Sequence, residues 1–174
     1  YTSVFYITKR DYEIQEIDQI EKKYIEEPRD SILIQRISDE SEILLKRREK
    51  IYTNENIYFD KFCMPIFGGE ITGVFGNQRI LNGVPKPPHN GLDIAAPKGT
   101  NIYAMTTGVV MLTGNYFYNG KFVLLDHGSG FSSIYIHMSK LFVEKGDYIL
   151  TGEKIGEVGS TGRSTGDHLH WGVG

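Results

Sequence analysis

Glycine is confined to one part of this chain of 174 residues, because all 20 glycines lie after residue 67. Charge is concentrated at the other end: residues 1–60 contain 10 Lys/Arg and 14 Asp/Glu, whereas residues 61–174 contain 9 and 8. Glycine allows tight turns and is costly inside helices and strands. The later part must therefore fold into short elements joined by turns. We expect an N-terminal segment at 1–60 and a main domain at 61–174.

The glycine-rich part contains several short runs that are apolar or that alternate between apolar and polar residues. Turn sequences such as Asn119-Gly120 and Lys145-Gly146 separate these runs. The runs predicted as strands are Gly108–Thr113, Lys121–Asp126, Phe131–His137 and Lys140–Val143. Strands at intervals of about ten residues are typical of antiparallel β-sandwiches and barrel-like sheets. The sequence therefore predicts a mainly β fold with a glycine-rich antiparallel sheet.

The N-terminal segment predicts one strand and one amphipathic helix. The strand is expected at Val4–Thr8, and Pro28 followed by Asp30 gives a helix start. Apolar residues then recur at helical spacing as far as about Lys50, with charged residues between them. Such a helix must pack against another surface. Either it is a packing arm of the domain, or it is a regulatory segment that lies over the active site.

Composition excludes several classes of protein. The hydrophobic fraction is 40% and the net charge is -3, with no cluster of basic and aromatic residues that would indicate nucleic-acid binding. No apolar run is long enough to span a bilayer. The chain begins at Tyr1 and shows no signal peptide, which is compatible with an upstream segment that was removed. Cys63, the single cysteine, excludes an intrachain disulfide and is expected to be a small buried residue.

His89 and Asp93 form the first candidate pair of metal ligands. Pro87 and Pro88 precede the pair, which makes a helix unlikely there. A straight strand would separate the two side chains by roughly 13 Å, too far for a common ion. The chain must bend between them, and Gly91 is the residue that allows the bend. We therefore expect the pair in a loop or at a strand end.

A second histidine cluster lies at the end of the sequence. Apolar residues alternate with His168 and His170, so the segment predicts a strand on which both imidazoles share a face. With His89 and Asp93, one of these histidines completes the three protein ligands that a catalytic zinc uses, and the other can reach a bound water. His137 closes a predicted strand and is a further candidate for proton transfer.

Other residues receive supporting roles. His127 is expected in a hairpin turn with a structural role. Asp167 and Ser133 are candidates for partners that fix the tautomer of a histidine.

Taken together, these motifs resemble those of the lysostaphin/LytM-type zinc metallopeptidases, which cut peptide cross-bridges in bacterial peptidoglycan. The first residues, Ile7-Thr-Lys-Arg-Asp-Tyr12, are also similar to the segment that precedes the peptidase in Gram-negative members. The resemblance spans about Phe67–Val173. The motifs that match are Phe75-Gly76…Arg79, His89-Asn-Gly-Leu-Asp-Ile-Ala-Ala-Pro-Lys-Gly-Thr100, Gly108-Val-Val110, Asp126-His-Gly128, Tyr135-Ile-His137 and Gly156-Glu-Val-Gly-Ser-Thr-Gly-Arg-Ser-Thr-Gly-Asp-His-Leu-His170.

The resemblance implies a role for each histidine of the two clusters. It makes His89, Asp93 and His170 the ligands of Zn²⁺, and His137 and His168 the catalytic pair. His168 becomes the general base that acts on a zinc-activated water. The tyrosine that some members place before the first ligand, where it can help to hold the carbonyl oxygen, is absent from Ile80–Pro88. Stabilisation of the negative charge on that oxygen is then left to the zinc itself and to His137 or backbone donors.

The resemblance also implies a substrate and a location. Similarity to Gram-negative members suggests a D,D-endopeptidase that cleaves the D-alanyl–diaminopimelate cross-link, in the periplasm or elsewhere in the cell envelope. The alternative is a non-catalytic LytM-like module that binds and activates other cell-wall hydrolases. Such modules lose metal ligands, whereas all five positions are filled here. Self-inhibition by residues 1–50 is compatible with the enzymatic interpretation.

Overall fold

Short strands separated by glycine-containing turns dominate the computed structural model of the protein, which describes residues 11–56, 58–59 and 61–174. Three of the four runs predicted between residues 108 and 143 lie wholly in strands, because alternating side chains suit an extended backbone with one buried face. The fourth, Lys140–Val143, is a strand only at Lys140–Leu141. The strand predicted at Val4–Thr8 lies outside the described residues. The strands are β1 (Ile14–Ile17), β2 (Glu70–Gly73), β3 (Gln78–Leu81), β4 (Val84–Lys86), β5 (Leu92–Ala95), β6 (Asn101–Tyr103), β7 (Gly108–Tyr116), β8 (Gly120–Gly128), β9 (Phe131–Met138), β10 (Lys140–Leu141), β11 (Tyr148–Ile149), β12 (Lys154–Glu157) and β13 (His168–Val173).

The main sheet has the strand order β11-β7-β8-β9-β13-β5-β2, and each neighbouring pair is antiparallel. Smaller sheets among the described residues have the orders β10-β12-β6 and β1-β3-β4. In the last of these, β1 runs parallel to β3. The predicted mainly β, antiparallel architecture is confirmed.

The two faces of the main sheet bury different clusters of apolar side chains. Val123 and Tyr135 point to the larger core, and both are 0% exposed. Phe122, Leu124 and Ile134 alternate with them in β8 and β9 and belong to a second cluster on the opposite face. That second face also receives the helix of the N-terminal segment.

Helix α1 (Ser31–Tyr52) begins where the sequence predicts and ends two residues beyond Lys50. The side chain of Asp30 caps its first turn by accepting a hydrogen bond of 2.8 Å from the Ile32 amide. A cap of this kind contributes about 1 kcal/mol to helix stability. A shorter 3₁₀ helix at Lys22–Tyr24 precedes α1.

Helix α1 is attached to the main sheet chiefly near its C-terminal end. Ile51 is 1% exposed, whereas Ile32 is 79% and Leu45 is 62% exposed. Polar contacts add to this attachment: Glu40 Oε2 accepts a hydrogen bond of 2.7 Å from the Phe117 amide, and Arg36 Nη2 donates one of 3.1 Å to the Asn115 carbonyl. The apolar stripe of the helix thus packs over less of its length than the periodicity predicts.

The N-terminal segment is also hydrogen-bonded into the rest of the protein through β1. This strand pairs with β3 over the whole of Ile14–Ile17. The division of the chain near residue 60 stays a prediction. Among the described residues, no helix combines the length and the apolar character that crossing a bilayer requires.

The expected position of His127 in a hairpin turn is wrong. His127 lies inside β8 and is 0% exposed, and the chain turns two residues later at Ser129 and Gly130, both at positive φ. Its Nδ1–H donates to the Thr107 carbonyl at 2.9 Å, so its Nε2 accepts from the Ser133 hydroxyl at 2.7 Å. Burial with two hydrogen bonds is what a structural histidine requires.

Candidate metal centre

Two antiparallel strands place two of the predicted ligands opposite each other. His170 on β13 and Asp93 on β5 are register partners. His89 precedes β5, and the chain bends so that its ring meets the other two side chains. Nε2 of His89 lies 3.1 Å from Oδ1 of Asp93 and 2.8 Å from Nδ1 of His170. Nδ1 of His170 lies 2.7 Å from the same oxygen, so the three atoms form a small triangle.

The donor atoms of this triangle suit a single cation. All three residues are buried. His89 Nδ1–H donates to the Val74 carbonyl at 3.0 Å, so in a neutral ring the lone pair on Nε2 faces the Asp93 carboxylate. Two electron-rich atoms at this distance repel each other unless a proton or a cation lies between them. Zn²⁺ binds imidazole nitrogens and carboxylate oxygens. The distances between the three donor atoms are close to the separation of about 3.4 Å between two ligand atoms of a tetrahedral zinc ion.

Arg79 holds the second oxygen of Asp93. Its guanidinium donates to Oδ2, which leaves Oδ1 facing the two imidazoles. Burial alone would raise the pKa of Asp93, but its close contacts with the His170 and His89 rings, together with the charge of Arg79, outweigh burial and hold that pKa well below its usual range. The carboxylate therefore stays ionised, as a metal ligand must be.

Gly91 is required at the centre for space. A Cβ at this position would lie 2.7 Å from Nε2 of His170 and 2.7 Å from the Trp171 carbonyl oxygen. The chain bends here as expected, but Gly91 is absent from the glycines with positive φ. Its missing side chain, rather than an unusual backbone conformation, is what lets the loop that carries His89 approach β13.

The predicted catalytic histidines lie side by side next to the triangle. The ring centroids of His137 and His168 are 4.8 Å apart, and Nε2 of His168 lies 3.9 Å from Oδ1 of Asp93. His168 Nδ1 is 2.9 Å from the Gly166 carbonyl, and His137 Nδ1 is 2.7 Å from the Thr161 carbonyl. Each Nδ1–H donates to its carbonyl oxygen, so each neutral ring has a free lone pair on Nε2.

An irregularity in β9 aims His137 at the site. Between the pairs Lys121–Met138 and Val123–Tyr135, two residues of β9 oppose one residue of β8. His137 has φ +66, a left-handed conformation that costs free energy in a residue other than glycine. Bulges of this kind redirect a side chain next to an active site.

The two catalytic candidates differ in their contact with solvent. His137 is buried, whereas His168 is partly exposed. Burial, followed by the neighbouring His168, lowers the pKa of His137 to about 3. His137 is therefore neutral at pH 7 and, with its one proton on Nδ1, can only accept a proton at Nε2.

Residues 87–174 match peptidase family M23, and this range contains all five residues of the site. The chain belongs to peptidase family M23.

Relatives of this M23 domain occur in Vibrio cholerae and Pseudomonas aeruginosa. The peptidoglycan DD-endopeptidase ShyA of Vibrio cholerae is 46% identical over 97 residues, which are 55% of this chain and 23% of ShyA. A zinc-containing peptidase from Vibrio cholerae has 34% identity and a TM-score of 0.62, covering 66% of this chain and 37% of that one. A putative M23 peptidase from Pseudomonas aeruginosa has 35% identity and a TM-score of 0.58, covering 84% and 57%.

The chain spans about a fifth to a quarter of the length of the curated M23 relatives ShyA and ShyB. Their names describe the whole proteins, of which this M23 domain resembles one part.

Sequence reasoning missed the groups that orient the candidate ligands and the candidate catalytic histidines. Arg79 stands in one of the family-like motifs, but its contact with Asp93 depends on β3 and β5 meeting in space. The carbonyls of Val74, Gly166 and Thr161 orient His89, His168 and His137, and a backbone carbonyl has no sequence signal. Of the predicted tautomer partners, Ser133 contacts His127 instead, and Asp167 is exposed.

A cavity of about 210 Å³ adjoins the M23 site. Arg48 and Tyr52, near the end of α1, line one part of this cavity. Phe75, Asn90 and His170 line another part. Helix α1 and the candidate metal ligand His170 therefore lie on one face of the main sheet.

Proposed function

We propose that this chain is the zinc-dependent endopeptidase domain of an enzyme that hydrolyses peptide cross-links in bacterial peptidoglycan. The observation that carries the proposal is the triangle of two imidazole nitrogens and one carboxylate oxygen, with two more imidazoles beside it. Membership of a peptidase family and the similarity to a protein named peptidoglycan DD-endopeptidase support it. The bond we expect it to cleave is the D-alanyl–diaminopimelate link.

His89, Asp93 and His170 would hold the metal ion. When bound there, Zn²⁺ would polarise the scissile carbonyl and lower the pKa of a water to about 7. The Arg79 contact keeps Asp93 charged and directed toward the ion. These residues need little movement to bind the ion, because their donor atoms already face a common point.

His168 is the proposed general base. Its Nε2 faces Asp93, its Nδ1–H is held by the Gly166 carbonyl, and it keeps contact with solvent. It can accept a proton from the attacking water and return it to the leaving amine, since imidazole exchanges protons readily near neutral pH.

His137 is proposed to stabilise the negative charge that develops on the carbonyl oxygen. The geometry allows this role only under one condition. Because its Nδ1–H is held by the Thr161 carbonyl, it can donate from Nε2 only after it has received a proton there. His168, 4.8 Å away between ring centroids, is the neighbouring group that can share such a proton. The proton that His168 takes from the water would be shared with His137 while negative charge develops beside it, and would return through His168 to the leaving amine.

Self-inhibition by the N-terminal segment is part of the same proposal. Helix α1 lies on the face of the sheet that carries His170, and its last turn narrows the cavity beside that residue. Because most of its apolar side chains are exposed, the helix is weakly attached for its length of 22 residues. A helix that inhibits reversibly must be attached weakly enough to detach from the sheet.

Digestion of defined cross-linked muropeptides by the zinc-loaded protein, with the new termini identified by mass spectrometry, tests the proposed activity. We expect a free D-alanine carboxylate and a free diaminopimelate amine. His168→Ala should keep zinc and lose hydrolysis, whereas His89→Ala should lose both. Hydrolysis by His168→Ala near the unmodified rate would refute the assigned base.

Zinc binding without any new terminus would instead favour the non-catalytic module that activates other hydrolases. The chain keeps all five residues of the site, namely the three candidate ligands and the two neighbouring histidines, and this gives no support to that function. A peptidoglycan substrate also implies a location in the periplasm or elsewhere in the cell envelope.

A further inference from the structure

A chain of three polar side chains leads from the N-terminal segment to the candidate metal centre. Gln15 Oε1 accepts a hydrogen bond of 3.3 Å from Nε of Arg79. The same guanidinium donates to Oδ2 of Asp93 through another nitrogen. Gln15 and Arg79 both precede residue 87, where the match to the peptidase family begins.

The parallel pairing of β1 with β3 places Gln15 next to Arg79. The two residues are register partners, and the strand alternation turns Gln15 inward while Glu16 stays exposed. The other end of the Gln15 amide is also used, because Nε2 donates to the Thr72 carbonyl at 2.8 Å. Thr72 lies on β2, which pairs with the strand that carries Asp93. Gln15 thus joins the strand of Arg79 to an edge of the main sheet.

Space around the arginine is restricted on the side of the main sheet. A Cβ at Gly73 would lie 3.0 Å from a guanidinium nitrogen of Arg79 and 3.0 Å from Oδ2 of Asp93. The guanidinium is therefore confined between β2, Gln15 and the carboxylate. An arginine with five donors in a planar fork can serve both neighbours at once, which a lysine cannot do in the same way.

We propose that Gln15 and Arg79 are positioning residues for the metal centre, and that β1 is therefore a structural part of that centre. Gln15 orients the guanidinium, and the guanidinium occupies Oδ2 so that Oδ1 is presented to the ion. Partners of this kind change metal affinity about 10–100-fold when they are removed. The proposal rests on metal binding by His89, Asp93 and His170 as proposed above.

Zinc affinity of Gln15→Ala, Arg79→Gln and the double variant, measured by competition with a chelator of known affinity, tests this proposal. Glu16→Ala is the matched control, because it alters the same strand on its exposed side. We expect Arg79→Gln to weaken zinc binding about 10–100-fold, Gln15→Ala to weaken it less, and Glu16→Ala to leave it unchanged. In the double variant, loss of Gln15 should add nothing to loss of Arg79, because Gln15 acts through the arginine.

The absorption spectrum of the Co²⁺-substituted protein gives a second readout, which reports ligand geometry rather than stability. We expect changed bands in Gln15→Ala and Arg79→Gln and an unchanged spectrum in Glu16→Ala. If Gln15→Ala matched Glu16→Ala in both readouts, or if the two losses multiplied in the double variant, the positioning role would be refuted. Failure of the unmodified protein to bind zinc would overturn both this proposal and the proposed function. Normal zinc binding without hydrolysis would count only against the function.

Discussion

Replacement of Ile51 by alanine should release helix α1 from the main sheet. Ile51 is 1% exposed and belongs to the cluster that contains Phe122 and Leu124. The change deletes three buried carbon atoms at about 0.8 kcal/mol each, or about 2.4 kcal/mol of docking free energy. Since 1.4 kcal/mol corresponds to a factor of ten in an equilibrium constant, the undocked helix should become about 50-fold more populated.

Hydrogen–deuterium exchange across residues 31–52, with the rate of muropeptide digestion measured in parallel, checks this expectation. Exchange should become faster along α1, because helical amides are exposed when the helix undocks. Digestion should also become faster, because the helix lines the cavity beside His170. Ile32→Ala is the matched control, since Ile32 is in the same helix but is 79% exposed.

Two results would contradict different parts of this reasoning. Unchanged exchange in Ile51→Ala would mean that other contacts, such as Glu40 with the Phe117 amide, hold the helix. Faster exchange with an unchanged digestion rate would leave the docking argument intact and refute self-inhibition.

Three further predictions concern the centre and its surroundings. Gly91→Ala should weaken zinc binding in a chelator competition, because the new Cβ would displace the His170 ring. Treatment with a strong chelator should abolish muropeptide hydrolysis, and added Zn²⁺ should restore it; hydrolysis that persisted without metal would contradict the proposed chemistry. His127→Leu should lower the free energy of unfolding by about 1–3 kcal/mol, because the partners on Thr107 and Ser133 would be left unsatisfied. Its zinc affinity should stay unchanged, and thermal unfolding and chelator competition would measure the two effects.

The parts of the fold that depend on local patterns could be predicted from the sequence. Alternation placed His168 and His170 on one strand, and β13 spans His168–Val173. The capping residue Asp30 located the start of α1. Both features depend on neighbouring residues in the sequence, where propensity and periodicity act directly.

Features that depend on distant contacts could not be predicted in this way. His127 was expected within the turn Asp126–Gly130, but it lies in β8, which pairs with β9, and only Ser129 and Gly130 form the turn. The extent of helix docking depends on how much of the sheet face is available, which the periodicity of α1 does not encode. The tautomers of the site histidines follow from carbonyls of other segments, so only the folded chain determines them.

The parallel pairing of β1 with β3 also covers one side of β3. In the sheet β1-β3-β4, strand β3 is hydrogen-bonded on both sides. Removal of residues 1–50 would delete β1 and leave one side of β3 open, and an unpaired strand edge is a template for pairing with another chain. A protein shortened in this way would therefore tend to associate through β3, whatever the effect of α1 on catalysis.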